Sequence, residues 1–246
     1  MFPAQGTATC RQDSAKATTI DDDQLQLFHV VHHCSMFASR TAAARDLAQR
    51  LIEYRGCHAL ILAIPRGAVP MGRVLADFLN AELDVVLVRK LGAPGNREFA
   101  VGAVDETGWV YVADYARSAG ADERYLALEK RAQLQLLQQR RASYTPSRTP
   151  IDPKGRVVIV VDDGLATGAT MIAALHAVRA KQPERLICAV PVASPDCLER
   201  VGAYADELVY LEAPAGFHAV GQFYRDFDQV EDDEVIAILA QPSPTG

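Results

Sequence analysis

An α/β fold with a mainly parallel central sheet is predicted for the 246-residue chain by three features of its sequence. Short, unbroken apolar runs, such as residues 59–64 and Val157–Val161, lack the polar alternation of a strand with one wet face. They therefore read as strands covered on both sides. Segments of helical period separate these runs from Cys57 onward, and repeated strand-helix alternation favours parallel pairing. The composition, 49% hydrophobic and 23% charged, is that of an ordinary globular protein.

The elements follow in order. Residues 1–24 have no apolar period and residues 25–34 are a short apolar piece; together 1–35 are expected to form a disordered or extended tail. His29, His32, His33 and Cys34 cluster there, but no second ligand group follows at zinc spacing, so a tail segment or docking turn is the simpler reading. One folded domain is expected over 36–240. It opens on a helix capped by Ser39 or Thr41, with Ala44, Leu47, Ala48, Leu51 and Ile52 on one face. Strand 59–64 precedes a helix over 69–79 and a second buried strand over 83–88. Residues 101–104 and 109–112 read as a hairpin around Glu106, Thr107 and Gly108. A long helix over 124–141 aligns Tyr125, Leu128, Ala132 and Leu136 and belongs to a helical insertion over about 114–145. Pro146, Pro150 and Pro153 then impose a loop. Val157–Val161 (VVIVV) is the clearest strand, followed by helix 170–180, strand 186–192, a helix near 196–203 and strand 207–211. The acidic run Glu231 to Glu234 suits a helix N-terminus, where the macrodipole favours negative charge.

Composition also narrows the function. Lys and Arg number 25 against 31 Asp and Glu, a net charge of −6, which argues against a nucleic-acid partner. No apolar run reaches the roughly 18 residues needed to cross a bilayer, so no membrane role is expected. Cys10, Cys34, Cys57, Cys188 and Cys197 are scattered and form no C-x-x-C pair, which argues against a disulfide framework or zinc ribbon. The first residues lack the basic and apolar regions of a secretory signal, and a cytoplasmic protein is expected.

The chemistry concentrates in Val157–Val161 and the nine residues after it: Asp162, Asp163, Gly164, Leu165, Ala166, Thr167, Gly168, Ala169 and Thr170. A buried strand ends in two carboxylates, a loop of small residues follows, and a helix begins at once. Small residues let backbone amides approach a phosphate, Thr hydroxyls add donors, and the helix N-terminus adds positive potential. The carboxylates would repel that phosphate directly, but they suit the hydroxyls of an adjoining sugar. A phosphate beside a diol describes a 5-phosphoribosyl group. A P-loop would need Lys after Gly168, and a dinucleotide fingerprint would need three spaced glycines after the first strand.

The run VVIVVDDGLATGATM resembles the ribose-5-phosphate motif of the type I phosphoribosyltransferases, in the form found in adenine phosphoribosyltransferases. From about Met36 to Leu239 the chain is similar to a bacterial group of stand-alone phosphoribosyltransferase-domain proteins. The further landmarks are IPRGAVPMG (residues 64–72), VRKLGAPGN (residues 88–96) and FYRDF (residues 223–227). The resemblance implies a type I phosphoribosyltransferase fold with a small C-terminal hood. It also implies a phosphoribosyl pyrophosphate (PRPP) substrate, a Mg²⁺ cofactor and transfer of the 5-phosphoribosyl group to a nitrogen acceptor such as a nucleobase.

Residue by residue, the resemblance assigns Asp162 and Asp163 to the ribose hydroxyls and, directly or through water, to Mg²⁺. Ala166, Thr167, Gly168, Ala169 and Thr170 take the 5′-phosphate. Arg66, Gly67 and Lys90 take the pyrophosphate, with a cis non-proline bond expected beside Arg66. Arg89 and Lys90, at the end of strand 83–88, would stabilise the leaving group beneath a mobile Gly- and Pro-rich lid over 91–98. Ala166 replaces the Asp that serves the base in hypoxanthine-guanine enzymes, so any proton transfer falls to another group, for which Glu98 is chosen. Phe223 and Tyr224 are expected to stack on the base, and a homodimer is expected. A PRPP- or nucleotide-sensing regulator, or a hydrolase of phosphoribosyl compounds, stays open on the same residues.

Overall fold

The computed structural model describes residues 36–146 and 149–243. The expected tail over 1–35, with its His and Cys cluster, lies outside the described residues. The chain opens on a short strand, β1 (Phe37–Ser39), and helix α1 (Arg40–Arg50), whose first turn is closed by the Ser39 hydroxyl accepting from the Ala42 amide at 3.3 Å. Strand β2 (Leu60–Ala63) leads through helix α2 (Val69–Leu79) to strand β3 (Glu82–Val85). Pro70 sits in the first turn of α2, where its missing N–H costs nothing, and Asn80 ends the helix in the left-handed conformation.

An antiparallel unit follows: β4 (Val88–Ala93), β5 (Asn96–Asp105) and β6 (Val110–Val112). Helix α3 (Glu123–Tyr144) comes next, capped by Asp122 at 2.8 Å from the Tyr125 amide. The remaining elements are β7 (Val157–Val161), α4 (Ala169–Arg179), β8 (Arg185–Val192), α5 (Pro195–Gly202), β9 (Glu207–Glu212), β10 (Tyr224–Asp226) and α6 (Asp232–Leu239).

Five strands form one parallel sheet in the order β3-β2-β7-β8-β9. Every residue of β7 is buried, as its unbroken apolar sequence requires of a central strand. One face packs on α1, α2, α3 and α6 through residues such as Leu47, Leu75 and Ile159. The other packs on α4 and α5 through Leu62, Val160, Met171 and Leu175. A small third cluster joins Phe37, Val192, Phe223 and Tyr224 where β1 and β10 pair.

Two boundaries differ from the sequence reading. The strand expected over 83–88 stops at Val85, and Val88 instead begins β4 of the antiparallel sheet. The lid expected over 91–98 is a hairpin: Ala93 pairs with Asn96 around Pro94 and Gly95, and Gly95 takes the φ of +77° that glycine tolerates. Gly92 sits at a register shift, where a Cβ would come within 2.6 Å of the Arg97 carbonyl oxygen. Glycine and proline thus shape a turn and a bulge inside paired strands.

Candidate functional site

Strands β2 and β7 are neighbours and end level, with Ala63 opposite Val161. The chain leaving β2 crosses to β3 on one side, whereas the chain leaving β7 crosses to β8 on the other. The two loops therefore diverge and open a crevice at the carboxyl ends of the strands, the place where open α/β sheets bind ligands.

Asp162 and Asp163 stand at the β7 edge of this crevice, both mostly buried. Asp162 accepts the Asp163 amide at 2.9 Å. Asp163 accepts from Arg40 Nε at 2.9 Å, and its carbonyl accepts the Tyr224 hydroxyl at 2.6 Å. Burial, then the adjoining Asp163 carboxylate, holds Asp162 well above the ordinary carboxylate value, against the pull of the Asp163 amide, Lys90 and Arg40. Burial raises Asp163 as well, and Arg40 is the main restraint on that rise. Two acids this close in a desolvated site resist full ionisation and favour a cation or hydroxyl donors beside them.

The loop from Gly164 to Gly168 leads into α4. Leu165 ties it to the sheet by donating to the Val192 carbonyl at 2.9 Å, while Ala166 and Thr167 are exposed. Gly168 caps α4 with φ +72° and offers no side chain, so the first-turn amides keep no side-chain partner from the cap. Packing also demands glycine there, because a Cβ would sit 2.6 Å from Cys197 Sγ and 2.9 Å from Val201 Cγ2. An uncapped helix N-terminus behind small residues is an anion cradle.

Across the crevice, the Pro65–Arg66 peptide bond is cis, as expected beside Arg66. Gly67 lies against the acid pair, since a Cβ there would run into Asp163 Oδ2 and come within 3.2 Å of Arg40 Nε. The side chain of Arg66 turns to the start of α6, with Nη1 3.2 Å from Glu231 Oε2 and 3.9 Å from Asp232 Oδ2.

Arg89 and Lys90, expected to act together on the leaving group, are separated. Both lie on β4, where successive side chains point to opposite faces. Lys90 is exposed and its charge acts on Asp162. Arg89 faces the other way and donates to Gln133 of α3 through Nε, its pKa lowered by burial and by Arg140. Glu98 lies on β5, with its side chain outside the described part of the structure.

Phe223 and Tyr224, expected on an acceptor base, are 4% and 5% exposed and present no open ring face. They line the core beneath the Asp163 loop, with Tyr224 packed between Phe37 and Phe227. Their place in the fold, beside the short strand pair of β1 and β10, is not readable from local sequence.

Arg40 is the residue that sequence reasoning missed. Its guanidinium donates to Asp163 and, at 2.6 Å, to the Asp228 carbonyl, and lies 3.7 Å over the Phe227 ring. It ties the first helix, the β7 loop and the C-terminal segment together. No local motif marks it, and only the fold brings together partners 123 residues apart.

The parallel sheet, the switch-point crevice and the acid-acid, small-residue loop define the type I phosphoribosyltransferase architecture. The chain belongs to the phosphoribosyl transferase domain family, whose pattern matches residues 37–228. It is 43% identical over 205 residues, 83% of this chain and 46% of theirs, to two curated proteins of Mycobacterium tuberculosis strains CDC 1551 and H37Rv named "Putative phosphoribosyl transferase". The chain thus spans about half the length of these curated relatives. The crystal structure of TT1426 from Thermus thermophilus is similar at 45% identity and a TM-score of 0.70, covering 83% of this chain and 97% of that one.

Proposed function

We propose that the chain binds PRPP with Mg²⁺ and transfers its 5-phosphoribosyl group to a nitrogen acceptor, a nucleobase by the family resemblance, releasing pyrophosphate. The observation that carries this reading is the pairing of Asp162 and Asp163 with the α4 cradle, opposite the Arg66–Gly67 loop. The 5′-phosphate lies on the amides of 166–170 and the ribose hydroxyls on the carboxylates. The pyrophosphate lies toward Arg66, Gly67 and Lys90. The bond from C1 to the pyrophosphate oxygen breaks with its electron pair leaving on oxygen. The acceptor nitrogen attacks from the opposite face, inverting C1, and sheds a proton, for which Glu98 is the proposed acceptor.

No group of three or more His, Cys, Asp or Glu side chains among the described residues could hold a metal ion. The two acids alone fit a cation whose other ligands are substrate oxygens. Asp162 and Asp163 would hold Mg²⁺ directly or through water, and its charge would help neutralise the departing pyrophosphate. Arg66 and Lys90 add to it from the protein side, and Arg40 keeps Asp163 oriented.

Incubation with PRPP, Mg²⁺ and a panel of bases, reading pyrophosphate release and nucleotide formation, tests the reading. Base-dependent release supports the transferase. Release without a base points to a hydrolase, and binding without turnover points to a sensor. An Asp162→Asn/Asp163→Asn variant with unchanged PRPP affinity refutes the site.

A further inference from the structure

Arg66 is the main cation that the β2 loop offers to an incoming pyrophosphate, yet it is already engaged. Its Nη1 lies 3.2 Å from Glu231 and 3.9 Å from Asp232, at the start of α6. Asp232 in turn accepts the Tyr144 hydroxyl at the end of α3, so the contact joins the β2 loop, α3 and α6. The acids are not buried partners that the fold requires. The Glu231 side chain is 65% exposed and that of Asp232 is 52% exposed, against 26% for Arg66.

A pyrophosphate held by Arg66 would meet these two carboxylates as like charges within a few ångströms, where they repel it. An exposed acid can swing into water, whereas the loop carrying Arg66 approaches Asp163 and Arg40 so closely at Gly67 that a Cβ there would not fit. From this arrangement we propose that Glu231 and Asp232 form a substrate-displaced clamp on Arg66. They hold the guanidinium in the free protein and compete with the pyrophosphate half of PRPP for it. The clamp favours ligands whose anionic charge is high enough to displace it, and its release is felt at Tyr144.

This inference rests on the proposed PRPP site, and the test separates the two. Calorimetric titration of the full chain with PRPP and Mg²⁺, with pyrophosphate and Mg²⁺, and with ribose 5-phosphate alone would be compared across variants. Exposed ion pairs set the scale. Glu231→Gln should tighten PRPP and pyrophosphate binding by about two- to fivefold. Glu231→Gln/Asp232→Asn should tighten it further, with ribose 5-phosphate unchanged because it does not reach Arg66. In an Arg66→Ala background the gain should vanish. Unchanged or weaker PRPP affinity in both acid variants, with wild type binding PRPP normally, overturns the clamp and leaves the site reading intact. An equal gain for ribose 5-phosphate overturns it too, because the effect would then be general charge. If wild type binds no PRPP, the site reading fails and the clamp falls with it. Glu231→Gln, altering an exposed side chain, keeps the test valid if the double variant folds poorly.

Discussion

On the β7 side of the crevice the candidate ligands come from one continuous stretch, Asp162 to Thr170, set by a buried strand and the helix it enters. The other candidate ligands come from separate elements: Arg66 after β2, engaged by Glu231 and Asp232 at the start of α6, and Lys90 on a hairpin of another sheet. The first wall is mostly backbone amides held by the sheet. The second is long charged side chains, of which Arg66 already has partners. The contrast predicts that changes in the β7 wall abolish binding, whereas changes in the β2 wall grade it.

The largest effect should come from the acids. Asp162→Asn/Asp163→Asn should lower kcat/KM for PRPP by roughly a thousandfold, since each group acts in a desolvated place where charge counts most. Steady-state pyrophosphate release measures it. A loss of less than about tenfold would mean that the β7 wall does not hold the reacting sugar.

Next comes Arg40. Arg40→Met removes the donor to Asp163 and Asp228 and the charge over Phe227, and should cost roughly ten- to hundredfold in kcat/KM through misplacement of Asp163. Arg40→Lys should recover only part, because an ammonium cannot serve the carboxylate, the carbonyl and the ring face with one planar fork. Full recovery by Lys would reduce Arg40 to a source of charge.

The same contrast explains what could be read from sequence. The β7 wall was legible because its spacing is local: an apolar run fixes the strand, two acids mark its end, and Thr, Gly and Thr mark the turn into α4. The parallel sheet was legible for the same reason. The β2 wall was not. Arg89 and Lys90 looked like the end of a core strand, but the break at Val86 and Leu87 moves them into a hairpin and points them apart. Arg40 meets Asp163 across 123 residues, and Phe223 and Tyr224 are buried where β10 pairs with β1, which no local pattern announces.

Gly168 probes the rigidity of the β7 wall. Gly168→Val faces both a positive φ and close contacts with Cys197 and Val201, and should lower stability by roughly 1–3 kcal/mol. For a domain of this size each kcal/mol shifts Tm by about 2–4 °C. Affinity for ribose 5-phosphate, measured by titration below the new Tm, should fall with it. A stable variant of normal affinity would show that the cradle tolerates a side chain.

The smallest effect has the opposite sign. Burial and Asp163 raise the Asp162 pKa in the folded chain above its ordinary value. Below that ordinary value both folded and unfolded chains carry the proton, and Asp162 leaves stability unchanged. As pH rises through the interval up to the raised value, the unfolded chain releases the proton first, and the fold loses stability until the folded group ionises too. Above its ordinary value Asp162 therefore burdens the ligand-free fold. Asp162→Asn keeps an oxygen to accept the Asp163 amide and removes that burden. Thermal unfolding without ligand should give a Tm above wild type at pH 7, by about 2–4 °C for each kcal/mol relieved, with the gap closing as pH falls toward about 4. A variant that gains stability while losing PRPP would mark Asp162 as a group whose charge the fold tolerates for its ligand. A variant less stable than wild type at pH 7 would mean that Arg40 and Lys90 already offset the charge, and the contrast between a preorganised and an adjustable wall would weaken.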